Sequence, residues 1–216
     1  MQSGFHTRPM EIKCEAPFID SHVHIDEIMD RLKISPSDLN VKLLGRLPSG
    51  SAVIAVFCDP SALSSFSVWE DIAEHPQLFA TFGCHPHSAS QFPKMKEKLL
   101  QRLVHPKVVA VGETGLDFYR DLSPRDEQVK AFISQLEIAK ELNKPVVVHC
   151  REAHDEVFEI LRERLHKEFP IHMHCFTGTD EQAKRLLNQF DNLYLGFTGL
   201  IVSRNMDEVI RAVPLN

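Results

Sequence analysis

Past its first seventeen or so residues the chain alternates short apolar runs with longer stretches whose apolar residues recur at helical spacing. The runs are Pro17–Ser21, Ala52–Phe57, Phe79–Gly83, Val108–Gly112, Pro145–His149, Ile171–Cys175 and Leu193–Phe197. They are rich in Val, Ile and Phe and do not alternate strictly with polar residues, the pattern of strands covered on both faces. Between them, Ser123-Pro124-Arg125-Asp126 reads as a helix start, with an N-cap serine and proline at the first helical position. Thr179-Asp180-Glu181-Gln182 has the spacing of a capping box. Residues Glu152 to about Lys167 put Val157, Ile160, Leu161 and Leu165 on one helical face, the stripe a helix needs to pack on a sheet.

Repeated strand–helix units predict a parallel sheet. Seven strands with this much helix predict an α/β fold of the (β/α)8, TIM-barrel type rather than an open doubly wound sheet. After the seventh run, Ser203–Val213 reads as one more helix, so the eighth strand is expected to be missing and the barrel incomplete at its C-terminal end. The expected organisation is a leader over residues 1–17 and one barrel domain over 18–216.

Length and composition narrow the function. The 216 residues suit one domain with a sizeable core, and 43% apolar with 25% charged residues is ordinary for a globular protein. No apolar run approaches the ~20 residues that cross a bilayer, so no membrane partner is expected. The N-terminal stretch lacks the charged-then-apolar pattern of a signal peptide. Five cysteines, an odd number without framework spacing, argue against a disulfide scaffold, and the cytoplasm or nucleus is the expected location. A net charge of −6 counts against gripping nucleic acid through a broad cationic surface. It leaves room for a nuclease in which metal ions and a few arginines meet the phosphates.

The candidate chemistry sits at the ends of the strands. His22 and His24 close the first run, Glu113 follows the fourth, His149 ends the fifth and His174 lies in the sixth. In a parallel barrel such positions converge at one rim. Four imidazoles and a carboxylate meeting there form a divalent-metal site for one or two ions (Mg2+, Mn2+ or Zn2+), and a metal-dependent hydrolase is the leading reading. His22 and His24, two apart on a strand, point to the same side, and Asp20 or Asp26 is expected to orient an imidazole. Glu113, between Gly112 and Gly115, is the candidate to bridge two ions and the candidate catalytic residue. His172 shares a strand face with His174; His174 is favoured as the ligand because it lies nearer the rim. The pair His85 and His87, in Gly83-Cys84-His85-Pro86-His87, suits metal, substrate phosphate or a structural turn. Arg151, two residues past His149, is placed to meet a phosphate oxygen with its planar donor fork. Cys175 reads as a core residue.

The stretches FIDSHVHID, GCHPHSA, VAVGETGLDFYRD, KPVVVHCREA and HCFTGT, in that order, resemble the TatD family of metal-dependent deoxyribonucleases, within the wider amidohydrolase-like barrels. YLGFTGLI extends the likeness to about residue 201. The resemblance implies that His22, His24, Glu113, His149 and His174 are metal ligands and that His85, His87 and Arg151 hold the scissile phosphate. It implies hydrolysis of phosphodiester bonds in nucleic acid, at single-stranded ends, by metal-activated water. The family pattern closes with an aspartate after the eighth strand, in a segment like ETDAP, which nothing here matches; hydrolysis is therefore expected to be impaired. The alternatives are an amidohydrolase-type enzyme cutting C–N or ester bonds, and a metal-binding protein without turnover.

Overall fold

The structure, a computed structural model, describes residues 16–42, 44–64, 66–204 and 206–214. The leader expected over 1–17 thus lies almost wholly outside the described residues. Seven strands follow in chain order: β1 (Ile19–Val23), β2 (Ala52–Phe57), β3 (Leu78–Phe82), β4 (Val108–Asp117), β5 (Val146–Arg151), β6 (Ile171–Met173) and β7 (Leu193–Leu195). They form one sheet in the order β1 to β7, every neighbouring pair parallel. Helices fill the connections, as parallel pairing requires, and the sheet curls into a half-barrel.

The central strands are buried because helices cover them, whereas the edge strands β1 and β7, expected from their apolar runs to be covered on both faces, leave Ile19 and Tyr194 exposed. In β3 to β5, Ala80, Phe82, Val111, Val146 and Val148 have no solvent exposure. Trp69, on the helix Phe66–Ala73, meets Phe57 and Phe82 edge-on at ring-centroid distances of 6.0 and 5.5 Å, while those two rings stack at 5.0 Å. Each such side chain contributes about 1.5–3 kcal/mol when buried. The helix expected from Glu152 runs over His154–Arg164 and buries Val157, Phe158 and Leu161.

The capping box at Thr179 forms as read, with Gln182 returning the bond. At the helix Arg125–Glu141 the expectation differs. Pro124 takes the N-cap place, and the Ser123 hydroxyl instead donates to the His87 carbonyl (2.9 Å) while accepting from the Ser90 backbone N–H (3.3 Å). Ser123 therefore ties down the loop that carries His85 and His87. The single helix expected over Ser203–Val213 is two short ones, Leu200–Arg204 and Asp207–Ala212. Among the described residues no helix is long and apolar enough to cross a membrane.

Candidate metal centre

The ends of β1, β3, β4, β5 and β6 bring the sequence-predicted residues together. Glu113 stands at the centre, 2% exposed, and its two oxygens face different partners. Oε2 lies 3.3 Å from His22 Nε2 and 3.5 Å from His24 Nε2. Oε1 lies 2.8 Å from His149 Nδ1 and 3.5 Å from His85 Nε2, and it also contacts His174 Nε2. Within the sets, His22 Nε2 and His24 Nε2 are 3.3 Å apart, as are His149 Nδ1 and His174 Nε2.

Backbone geometry makes this convergence possible. Gly83 closes β3 directly beside β4, and a Cβ there would stand 2.6 Å from the Gly112 carbonyl carbon and 2.7 Å from the Glu113 oxygen. Gly115, at φ +142°, faces the His149 backbone, where a Cβ would collide with the carbonyl. Two side-chain-free positions thus let three strands close on the carboxylate.

The donors fit a divalent ion. Ligands about 2.0–2.1 Å from a tetrahedral ion stand about 3.4 Å from one another, close to the 3.3 and 3.5 Å spacings of His22, His24 and Glu113. A second cluster, His85, Glu113 and His149, has its atoms within 4.8 Å of each other, with His85 turning an N–H rather than a lone pair toward it. Imidazole nitrogens and carboxylate oxygens are the ligand types that borderline and hard divalent ions take.

Electrostatics keep the carboxylate charged. Burial alone would raise the Glu113 pKa, but hydrogen bonds from His149, His174, His22 and His85 outweigh it and hold it well below the usual carboxylate range. Burial would likewise lower His149, yet its bonds to Asp117 and Glu113 push it up to about 9. His172 goes the other way: burial, then the neighbouring His22 and His174, lower it to about 4. Its ring lies 6.3 Å from that of His22, on the flank of the cluster.

The second histidine pair has a defined polarity. The backbone N–H of His87 donates to His85 Nδ1 (3.2 Å), so neutral His85 carries its hydrogen on Nε2, the atom facing Glu113. His85 is thereby a donor toward the site. His87 points elsewhere, its Nε2 2.8 Å from Asp117 Oδ2, while its ring meets those of His85 and His149 at 4.2 and 6.2 Å. The Arg151 guanidinium carbon lies over Tyr119, 3.8 Å from the ring centroid, and Tyr119 is 56% exposed.

Two residues were not foreseen. Asp117, buried at the end of β4, lies between His87 and His149, with its Oδ2 3.2 Å from His149 Nε2. The signal for it is in the sequence: four residues past Glu113, it falls on the same side of a period-two strand. Cys58, buried just after β2, has its thiol 3.9 Å from Glu113 Oε2. Other expectations changed. Asp20 accepts from the backbone N–H of His22 at 3.2 Å rather than from its ring, and Asp26 accepts from the Glu27 N–H at 2.9 Å. Cys175 is half-buried at φ +47°, its sulfur 3.3 Å from Thr198 Oγ1, because the chain turns there instead of continuing β6 into the core.

A curled parallel sheet that gathers imidazoles around one buried carboxylate at the C-terminal ends of its strands defines a metal-binding α/β barrel. Within that class the chain belongs to the TatD family: the profile described as TatD related DNase matches residues 19–216. It is 36% identical over 214 residues to the human 3'-5' RNA nuclease TATDN2, covering 95% of this chain and 28% of that protein. It is 41% identical over 134 residues to the 3'-5' ssDNA/RNA exonuclease TatD of Escherichia fergusonii, covering 61% of this chain and 51% of that one. Among solved structures, a TatD homolog from Escherichia coli superposes with a TM-score of 0.71 at 27% identity, over 92% of this chain and 75% of that one. The chain thus spans about a quarter to a half of the length of the curated relatives it matches.

Proposed function

We propose that this chain is a metal-dependent nuclease that hydrolyses phosphodiester bonds at the 3' ends of single-stranded nucleic acid. One observation carries the reading: a single buried carboxylate, Glu113, turns one oxygen to His22 and His24 and the other to His149 and His174. That arrangement suits two ions sharing a bridging ligand, and the relatives named as 3'-5' nucleases support the substrate class. Divalent ions, when bound there, would supply a water of lowered pKa and offset charge on the reacting phosphate.

The chain's own residues divide the remaining work. His22 and His24 would hold one ion and His149 and His174 the other, with Glu113 available to both. His85, with its Nε2–H toward the site, donates to a phosphate oxygen. Arg151, held over Tyr119, offers its guanidinium to a phosphate oxygen, and charge-assisted donation of this kind is stronger than a neutral bond. His87 sets the wall of the phosphate pocket from its place beside His85. The mixed imidazole and carboxylate set admits Zn2+, Mn2+ and Mg2+.

The test is a ladder assay on a 5'-labelled single-stranded oligonucleotide with each of these metals and with EDTA. Stepwise shortening from the 3' end that needs metal, and that Glu113→Gln abolishes, is the expected result. Intact oligonucleotide under every metal, with turnover of an amide or ester substrate instead, overturns it in favour of amidohydrolase-type chemistry.

A further inference from the structure

We infer that Asp117 is a positioning residue that selects Nδ1 of His149 as the metal-binding nitrogen. The inference rests on the proposed ligand role of His149 and adds to it the atom used and the group that enforces the choice.

Asp117 is 1% exposed and every one of its polar atoms is engaged. Its Oδ1 accepts the backbone N–H groups of Arg120 (2.8 Å) and Tyr119 (3.1 Å). Its backbone N–H donates to Gln128 Oε1 at 2.9 Å, and Gln128 Nε2 donates back to the Asp117 carbonyl at 3.3 Å. Gln128 is itself fully buried. The carboxylate is therefore clamped from both sides, and only Oδ2 is left for side chains. That oxygen lies 2.8 Å from His87 Nε2 and 3.2 Å from His149 Nε2.

An ionised carboxylate only accepts hydrogen bonds. Both imidazoles must accordingly bring a hydrogen on Nε2. With Nε2–H held by Asp117, the proton the ring gives up to bind a metal is the one on Nδ1, the atom facing Glu113 Oε1 and His174 Nε2. A carboxylate behind a ligating imidazole fixes the ring's tautomer and raises its basicity. His85 supplies the contrast. Its Nδ1 is occupied by the His87 backbone N–H, so the atom it turns toward Glu113 is a donor. Neighbouring rings 4.5 Å apart by centroid are thus set in opposite senses, one as ligand and one as donor. Asp117 and the His85–His87 turn decide which is which.

The first measurement uses the unmutated protein. With 15N-histidine labelling and 113Cd2+ as the probe, scalar coupling should appear on His149 Nδ1, with Nε2 bearing hydrogen. Coupling on Nε2 overturns this inference alone. Absence of coupling to either nitrogen of His149 overturns the ligand assignment and this inference together. The second measurement is Zn2+ titration of Asp117→Asn, whose amide can still accept from Tyr119 and Arg120. The ion bound by His149 and His174 should weaken by about 10- to 100-fold, while the ion on His22 and His24 keeps its affinity. The His149 ring should lose its single-tautomer signature in the same variant. Unchanged affinity and tautomer in Asp117→Asn overturn the role of Asp117.

Discussion

The rings of His22 and His174 stack, 3° from parallel with centroids 4.0 Å apart, although one belongs to β1 and the other follows β6. Strands stand about 4.8 Å apart within a sheet, so flat pairing would hold these residues more than 20 Å from each other. Their contact measures the curl of the sheet, and it is what allows the β1 histidines and the β6 histidine to share one carboxylate.

That shared arrangement predicts two separable ion sites. In His22→Ala/His24→Ala, elemental analysis after dialysis against Zn2+ should find about one ion fewer per chain than in the parent protein. The remaining ion should disappear when His149→Ala/His174→Ala is added. Identical metal content in parent and double variant would remove His22 and His24 from the ligand set.

Metal should stabilise the fold, because the proposed ligands come from segments far apart in the chain and meet only when it is folded. At a free Zn2+ concentration about a hundredfold above Kd the linkage amounts to about 2.7 kcal/mol. For a protein of this size that raises Tm by about 5–10 °C. Differential scanning calorimetry with Zn2+ and with EDTA checks it, and coincident transitions would mean the ion binds folded and unfolded chains alike.

Gly83→Ala should disturb the centre without removing a polar side chain. The new methyl carbon would stand 2.6–2.7 Å from the backbone of Gly112 and Glu113, so β3 and β4 must separate or shift. Such overpacking costs about 1–3 kcal/mol. Urea unfolding should show a lower midpoint at unchanged slope, and Zn2+ binding should weaken in parallel. A variant as stable as the parent would mean that this close approach is not maintained in solution.

Arg151→Ala should act on substrate and leave the ions alone. The guanidinium carbon lies over Tyr119, 3.8 Å from the ring centroid. Losing one phosphate contact of about 1.4 kcal/mol is tenfold in affinity. We expect KM for an oligonucleotide to rise about that much with kcat little changed and Zn2+ content unaltered. Loss of bound Zn2+ in this variant would show that Arg151 supports the centre itself.

Most of the architecture was legible because parallel strands sealed on both faces leave a simple record. Runs such as Val108–Gly112 and Pro145–His149 fall on β4 and β5, and helix-start chemistry at Thr179 is local, so four residues suffice to read it. The reading failed where a side chain answers to a distant partner. Ser123 looks like an N-cap until the His87 carbonyl is seen beside it. Asp117 was not singled out, because the two rings that meet its oxygen, His87 and His149, come from other parts of the chain.

The sequence by itself determined the class of fold and the set of residue types at the strand ends, since hydrophobic periodicity and short-range spacing are properties of neighbours along the chain. It placed His22, His24, Glu113, His149 and His174 at one rim without saying which atoms would touch. Only the tertiary structure decided that Glu113 divides its oxygens between two sets of imidazoles, and that His149 presents Nδ1 while His85 presents an N–H. Those choices depend on hydrogen-bond partners brought together by the curl of the sheet. A hydrogen bond is made or lost within about half an ångström, and no pattern along the chain resolves positions that finely.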